Sequence, residues 1–201
     1  MSLYVTLPKS PWWKRLTQKR LPTGYQAGLT LNRIEKDIAP YVCEWGAPGV
    51  LLIQLPQGIK VEVTERVKTL FMAFIVHSHF AVSGKCDSAL VAQIDVKTAG
   101  SARKKHVQFT TQQTEGKFLV ESLEQYPVIR QTFEELDFTH CHIAVKNGVW
   151  RCEIEPYTAS EMVSRIPAAR RYLRLTDQQR HRLLSALQLI SQLMSQQTPH
   201  Q

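Results

Sequence analysis

No stretch of this sequence stays apolar for the roughly 18 to 20 residues that a membrane-spanning helix requires. The longest run, Leu70 to Val76, ends at His77. A bilayer-crossing helix is therefore not predicted. Cysteine is sparse and scattered: Cys43, Cys86, Cys141 and Cys152 include no C-x-x-C pair that would suggest a zinc ribbon or a redox motif. The basic segment Pro8 to Arg15, which contains Trp12 and Trp13, stands where a secretory leader would need an uncharged apolar stretch. Together these point to a reduced, cytoplasmic chain. Catalytic signatures are missing too. There is no Gly-x-Ser-x-Gly elbow, no Gly-x-Gly-x-x-Gly after a strand, and Val82-Ser83-Gly84-Lys85 lacks the first glycine and the spacing of a phosphate loop.

Acid is also in short supply, with 17 Asp and Glu against 25 Lys and Arg, a net charge of +8. That balance favours anionic partners. With 43% hydrophobic and 21% charged residues, the chain has a globular composition, which excludes disorder and collagen-like repeats. Its 201 residues suit one domain, with residues 1–22 as a basic lead and 197–201 as a frayed tail.

Periodicity supplies the elements. Thr23-Gly24-Tyr25-Gln26 has capping-box spacing, and Ala27, Leu31, Ile34 and Ile38 recur at helical intervals up to Pro40. Strand alternation follows from Val50 to Leu55 and from Ile59 to Val63, joined by a Pro56-Gln57-Gly58 turn. Phe71 to Val82 reads as a strand apolar on both faces at its start and on one at its end. Two more strands are expected around Leu90 to Val96 and Lys105 to Thr110, then two short acidic helices on either side of Pro127. Thr176 to Gln179 has the spacing of a second capping box, opening a long helix with a stripe of Leu183, Leu184, Leu187, Ile190 and Met194.

The sharpest local signal is Asn147-Gly148, the dipeptide of a tight two-residue hairpin turn. Pairing Lys146 with Val149 sorts Cys141, Ile143, Val145, Trp150, Cys152 and Ile154 onto one face. His140, His142, Arg151, Glu153 and Glu155 fall on the other. The predicted architecture is α+β: an antiparallel meander from Val50 to Thr111, extended or flanked by a C-terminal hairpin at His140 to Glu155, and packed against several helices including the long C-terminal one.

Three functional readings follow. The first is a non-enzymatic binding protein whose basic surface engages nucleic acid or an acidic protein. Its candidate residues are Arg103, Lys104 and Lys105 at one strand entrance, and Arg170, Arg171 and Arg174 ahead of the last helix, with Tyr172, Trp12 or Trp13 available to stack. The second uses two His-x-His triplets, His77/His79 and His140/His142, with Glu153 and Glu155 opposite the latter pair. These donors suit zinc, in a metal-binding protein or a metal-dependent hydrolase. The plainer account of the same pairs is opposite charges decorating a solvent face, which needs no ion. The third is a carrier of a small apolar ligand inside a curled sheet. The Trp12-Trp13-Lys14-Arg15-Leu16 lead also suits a membrane surface, or a stripe covering the core.

The segments Gly24 to Pro40 and Ser160 to Leu175, the latter reading Ser-Glu-Met-Val-Ser-Arg-Ile-Pro-Ala-Ala-Arg-Arg-Tyr-Leu-Arg-Leu, resemble a bacterial family of roughly this length with no assigned function. The resemblance implies a bacterial origin and a single domain, and it carries over no catalytic residues.

Overall fold

The computed structural model describes residues 21–86, 90–101 and 104–196. The N-terminal lead with Trp12 and Trp13, the tail from 197, and Arg103 lie outside them. Helix α1 spans Leu29–Ile38; strands β1 (Cys43–Trp45), β2 (Val50–Gln54), β3 (Lys60–Leu70), β4 (Ala73–Lys85), β5 (Ala92–Ser101) and β6 (Lys104–Thr110) follow. Then come α2 (Thr114–Glu124), α3 (Pro127–Glu134), β7 (Phe138–Lys146), β8 (Val149–Pro156), β9 (Ser160–Arg165), β10 (Ala168–Leu173) and α4 (Asp177–Gln196). All ten strands pair antiparallel in one sheet, in the order β1-β2-β3-β4-β8-β7-β5-β6; β9 also pairs with β4, and β10 with β9. This is the α+β architecture predicted, with its long C-terminal helix.

The β7–β8 hairpin has the register that Asn147-Gly148 demands: Lys146 pairs with Val149, Ile143 with Cys152 and His142 with Glu153. Both turn residues take positive φ, 54° and 73°. The apolar set of this hairpin is buried throughout. Its place in the sheet differs from the expectation, however. It neither extends nor flanks the meander but splits it, lying between β4 and β5. Alternation fixes which face a strand buries but not which strand it joins.

One face of the sheet carries the core. Val61, Val63, Phe80, Val82, Ile94, Val107, Ile143, Trp150 and Ile154 meet Leu31 and Ile34 of α1, Leu123 and Phe133 of α2 and α3, and Leu183, Leu187 and Ile190 of α4. Trp150 lies over its cross-strand partner Gly84, where a methyl group would come within 2.7 Å of the indole. Phe133 sits between Phe109 and Phe138 in two edge-to-face contacts, each 6.1 Å between centroids.

Two helix starts contrast. The capping box of α4 forms, because Thr176 Oγ1 accepts from the Gln179 amide and Gln179 Oε1 accepts from the Thr176 amide. The one expected at Thr23 does not start α1. That helix begins after Gly28, and its N-terminal amides donate instead to a carboxylate from β3. Gly28 N and Leu31 N reach Glu65 at 3.0 and 3.1 Å, and Tyr25 Oη donates to it at 2.7 Å.

The start of the long central strand also corrects the sequence reading. Phe71 and Met72 are turn rather than strand, β4 begins at Ala73, and Phe71 is 92% exposed instead of covered. Met72 takes φ 63°, a conformation that costs a non-glycine residue about 1 to 3 kcal/mol. Just beside this turn, β9 and β10 form a hairpin that alternation did not reveal, since only its first two residues are buried.

Candidate functional site

The helices leave the other sheet face open. Alternation sends to it Arg66 and Lys68 of β3, His77 and His79 of β4, Glu153 and Glu155 of β8, His140 and His142 of β7, and Gln93, Asp95 and Lys97 of β5. Residues of β3 and β5 line one cleft of about 750 Å³. In strand order these lie four spacings apart, about 19 Å on a flat sheet. The sheet therefore curls about this face.

At the floor of the cleft Glu153 and Glu155 are buried, 5% and 7% exposed, on the face their polarity would assign to solvent. Each survives there because the neighbouring strand supplies partners. His79 stands between them: its Nδ1 donates to Glu153 Oε1 at 2.8 Å, and its Nε2 lies 2.9 Å from Glu155 Oε2. Glu153 also receives Arg66 at 2.7 Å and lies 3.7 Å from Arg151, which pairs with Glu62 at 2.8 Å. Glu155 accepts from the Thr139 hydroxyl at 2.8 Å and meets His77 Nδ1 at 3.1 Å. The remaining His77 nitrogen, Nε2, is buried with no partner.

The charge states follow from these contacts. Burial pulls the His79 pKa down, but hydrogen bonds to two carboxylates outweigh it, so the pKa is raised and the imidazolium is favoured. The bond from His79 holds Glu153 at about 2 against the opposing effect of burial, with help from Arg66. Glu155 is burdened most by burial, yet His77, His79 and Thr139 together keep it well below the usual carboxylate range. The floor thus holds two ionised carboxylates on either side of a histidine whose charged form they favour. Cys141, on the opposite side of β7, is pushed up by burial and by its neighbour Cys152, which suits a packed thiol rather than a nucleophile.

Of the six residues read as metal candidates, His77, His79, Glu153 and Glu155 converge, while His140 and His142 stand along the cleft wall. Among the described residues no group of three or more His, Cys, Asp or Glu is arranged to hold a metal ion. The nitrogens face carboxylate oxygens in pairs instead. Sequence reasoning did not single out Arg66 or Thr139 for this site. Arg66 was legible, because the Lys60, Glu62, Thr64 alternation continues to it. Thr139 was not: a register shift between Phe138 and His140 makes it an extra residue in its strand and turns it to Glu155.

The basic candidates are dispersed. Arg103 lies outside the described residues, and only the backbone of Lys104 is placed within them. Lys105 donates to the Leu136 carbonyl and to Asp137. Arg174 pairs with Asp37 at 2.7 Å, and Arg170 pairs with buried Glu161, which also meets Arg33 at 2.8 Å. Tyr172, offered as a stacking residue, donates to Asp37 under the guanidinium of Arg33. Only Arg171 of its group has no ion pair among the described residues. Three strands, β8, β7 and β5, separate the Lys105 strand from β4 and its neighbour β9.

A family described as "Protein of unknown function (DUF3156)" matches residues 36–194, which include every described strand, α2, α3, the last three residues of α1 and all of α4 but its last two. No curated protein and no solved structure matches the chain. Among the described residues no helix is long and apolar enough to cross a membrane.

Proposed function

This chain belongs to the DUF3156 family, and from the geometry of its open sheet face we propose that it is a binding protein that holds a small anionic molecule, bearing phosphate or carboxylate groups, in the cleft over β3, β4, β8, β7 and β5. The observation that carries the reading is an imbalance of donors in the walls. Lys68, Lys97, His140, His142 and the unpartnered His77 Nε2 face a cleft in which Glu153 and Glu155 are already engaged by Arg66, His77 and His79, leaving Asp95 as the one unengaged carboxylate among the described lining residues. Preorganised cations in a concave site favour a compact multivalent anion. This keeps the anionic chemistry expected from the composition but replaces the nucleic acid or acidic protein with a small molecule, and moves the site from the segment of Arg170 and Arg174, which acids occupy, to the cleft.

Thermal unfolding of the full chain at low salt, with inorganic phosphate, pyrophosphate or citrate added, tests the reading. Saturable stabilisation by a multivalent anion is expected, with apparent affinity falling at least tenfold in Lys97→Ala and in His77→Gln. No stabilisation, or equal stabilisation of those variants, removes the proposal. Zinc chloride in the same assay checks the metal-binding alternative, against which the pairing of each nitrogen with a carboxylate argues: stabilisation by zinc that His77→Ala abolishes would make the cleft a metal site.

A further inference from the structure

At one end of the sheet two hairpin tips stand side by side, joined where the Arg165 amide donates to the Met72 carbonyl at 2.9 Å. Each tip carries a large apolar residue at its apex, Phe71 at 92% and Ile166 at 67% exposure, and Leu70, Met72 and Met162 beside them are exposed too. The β3–β4 turn is poorly suited to turning: a two-residue loop favours Asn or Gly where φ is positive, yet here Met72 takes φ 63°. The same chain uses Asn147-Gly148 at the β7–β8 hairpin, so the better residues are within its repertoire. Strain retained at an exposed apolar apex points to a use for that apex.

Charge says what the apex meets. Residues 66–76 and 162–175, which build both tips, contain six basic residues and no acidic one. Arg66, Arg170 and Arg174 are held by Glu153, Glu161 and Asp37. Lys68, Arg165 and Arg171 have no side-chain partner among the described residues and stand behind the apolar apices, with Lys68 and Arg171 on the strands that flank Ile75 and Met162. Apolar side chains projecting beyond a collar of cations match the layering of a bilayer surface, acyl chains beneath anionic headgroups. A protein partner is the poorer fit, since a stable interface needs about 800 Å² per side, usually on a broad surface rather than two turn apices. We propose that the paired tips Leu70–Met72 and Arg165–Pro167 dock this protein on membranes rich in anionic lipid. This inference rests on the tips and shares only Lys68 with the cleft.

Flotation of the full chain with vesicles tests it. Binding is expected to phosphatidylcholine vesicles containing phosphatidylglycerol and not to phosphatidylcholine alone, weakening as salt rises. The double variant Phe71→Asp, Ile166→Asp should bind at least tenfold more weakly with an unchanged unfolding midpoint, since both side chains are exposed. In Phe71→Trp, vesicles should shift the added indole emission to the blue, and brominated lipid should quench it. Absence of binding at low salt overturns the proposal, as does equal binding of the double variant. A concentration-dependent self-association abolished by the double variant, without vesicle binding, would instead put a second copy of the chain on the tips and likewise overturn it.

Discussion

His79 occupies a position that no neutral side chain could fill without penalty, because it is the group standing between two buried carboxylates. Its surroundings are Arg66 from β3, His77 from its own strand, Glu153, Glu155 and Arg151 from β8, and His140 and His142 from β7. His79→Ala should cost about 3 to 5 kcal/mol in urea unfolding at pH 5.5, the penalty of stripping the partner from buried charge. Adding Glu155→Gln to that variant should restore part of the loss, since one of the two facing carboxylates is then neutral. The signs of pH dependence follow from the same contacts. A histidine whose pKa is raised on folding contributes stability that is full below about 6.5 and lost as pH climbs through the folded value. Glu153, held at about 2, contributes stability that is full above about 4.5 and lost as pH falls toward 2. The wild type should therefore be most stable between these limits, and its alkaline loss should be absent from His79→Ala. A pH-independent wild-type midpoint would contradict these charge states. The His-x-His and Glu-x-Glu spacings placed these side chains on one face from sequence, but not the burial of both carboxylates, which depends on β4 arriving beside β8 with β3 on its far edge.

The elements themselves differ in how much of their cause is local. The α4 start and the β7–β8 turn are built by residues within three positions of one another, so spacing alone reveals them. The start of α1 is built by Glu65, whose carboxylate takes two amides and the Tyr25 hydroxyl across more than thirty residues of chain. Spacing points instead to Thr23, which bonds nothing at the α1 start. Glu65→Ala should therefore destabilise the fold by about 2 kcal/mol, a lost cap plus a stranded hydroxyl, whereas Thr23→Ala should leave the unfolding midpoint within about 0.5 kcal/mol. Equal effects would show that α1 is held by its apolar stripe of Leu31, Ile34 and Ile38 rather than by its cap. The β9–β10 hairpin was hidden for a related reason. Gly24 accepts from its Arg170, Arg33 pairs with its Glu161 and Asp37 accepts from its Tyr172, all from elsewhere in the chain, so it needs no alternating apolar face of its own.

For the whole molecule, chain order and spatial order disagree, and that disagreement makes its stability uneven. β4 is paired along both edges, by β3 from Ala73 to Ala81 and by β8 and β9 on the other side, while β8 lies between β4 and β7. The block from β5 through α3 is inserted between them in sequence, yet it joins the rest of the sheet through the Ala92–Asp95 pairing with β7, four residue pairs long. Its core side chains, Val96, Val107, Phe109 and Phe133, continue the common core, so it opens from the remainder instead of folding apart from it. Native-state hydrogen exchange should show residues 92–134 opening as a unit at lower free energy than β4 and β8. The charge distribution gives this seam a functional consequence. Gln93, Asp95 and Lys97 form one wall of the cleft, and His77 and Arg66 the other, so an anion gripping Lys97 and His77 spans the short β5–β7 junction. Saturating anion should slow exchange in the inserted block selectively, leaving β2 and β9 unchanged. Uniform protection of the sheet would refute the weak junction, and uniform slowing on binding would place the anion elsewhere than across it.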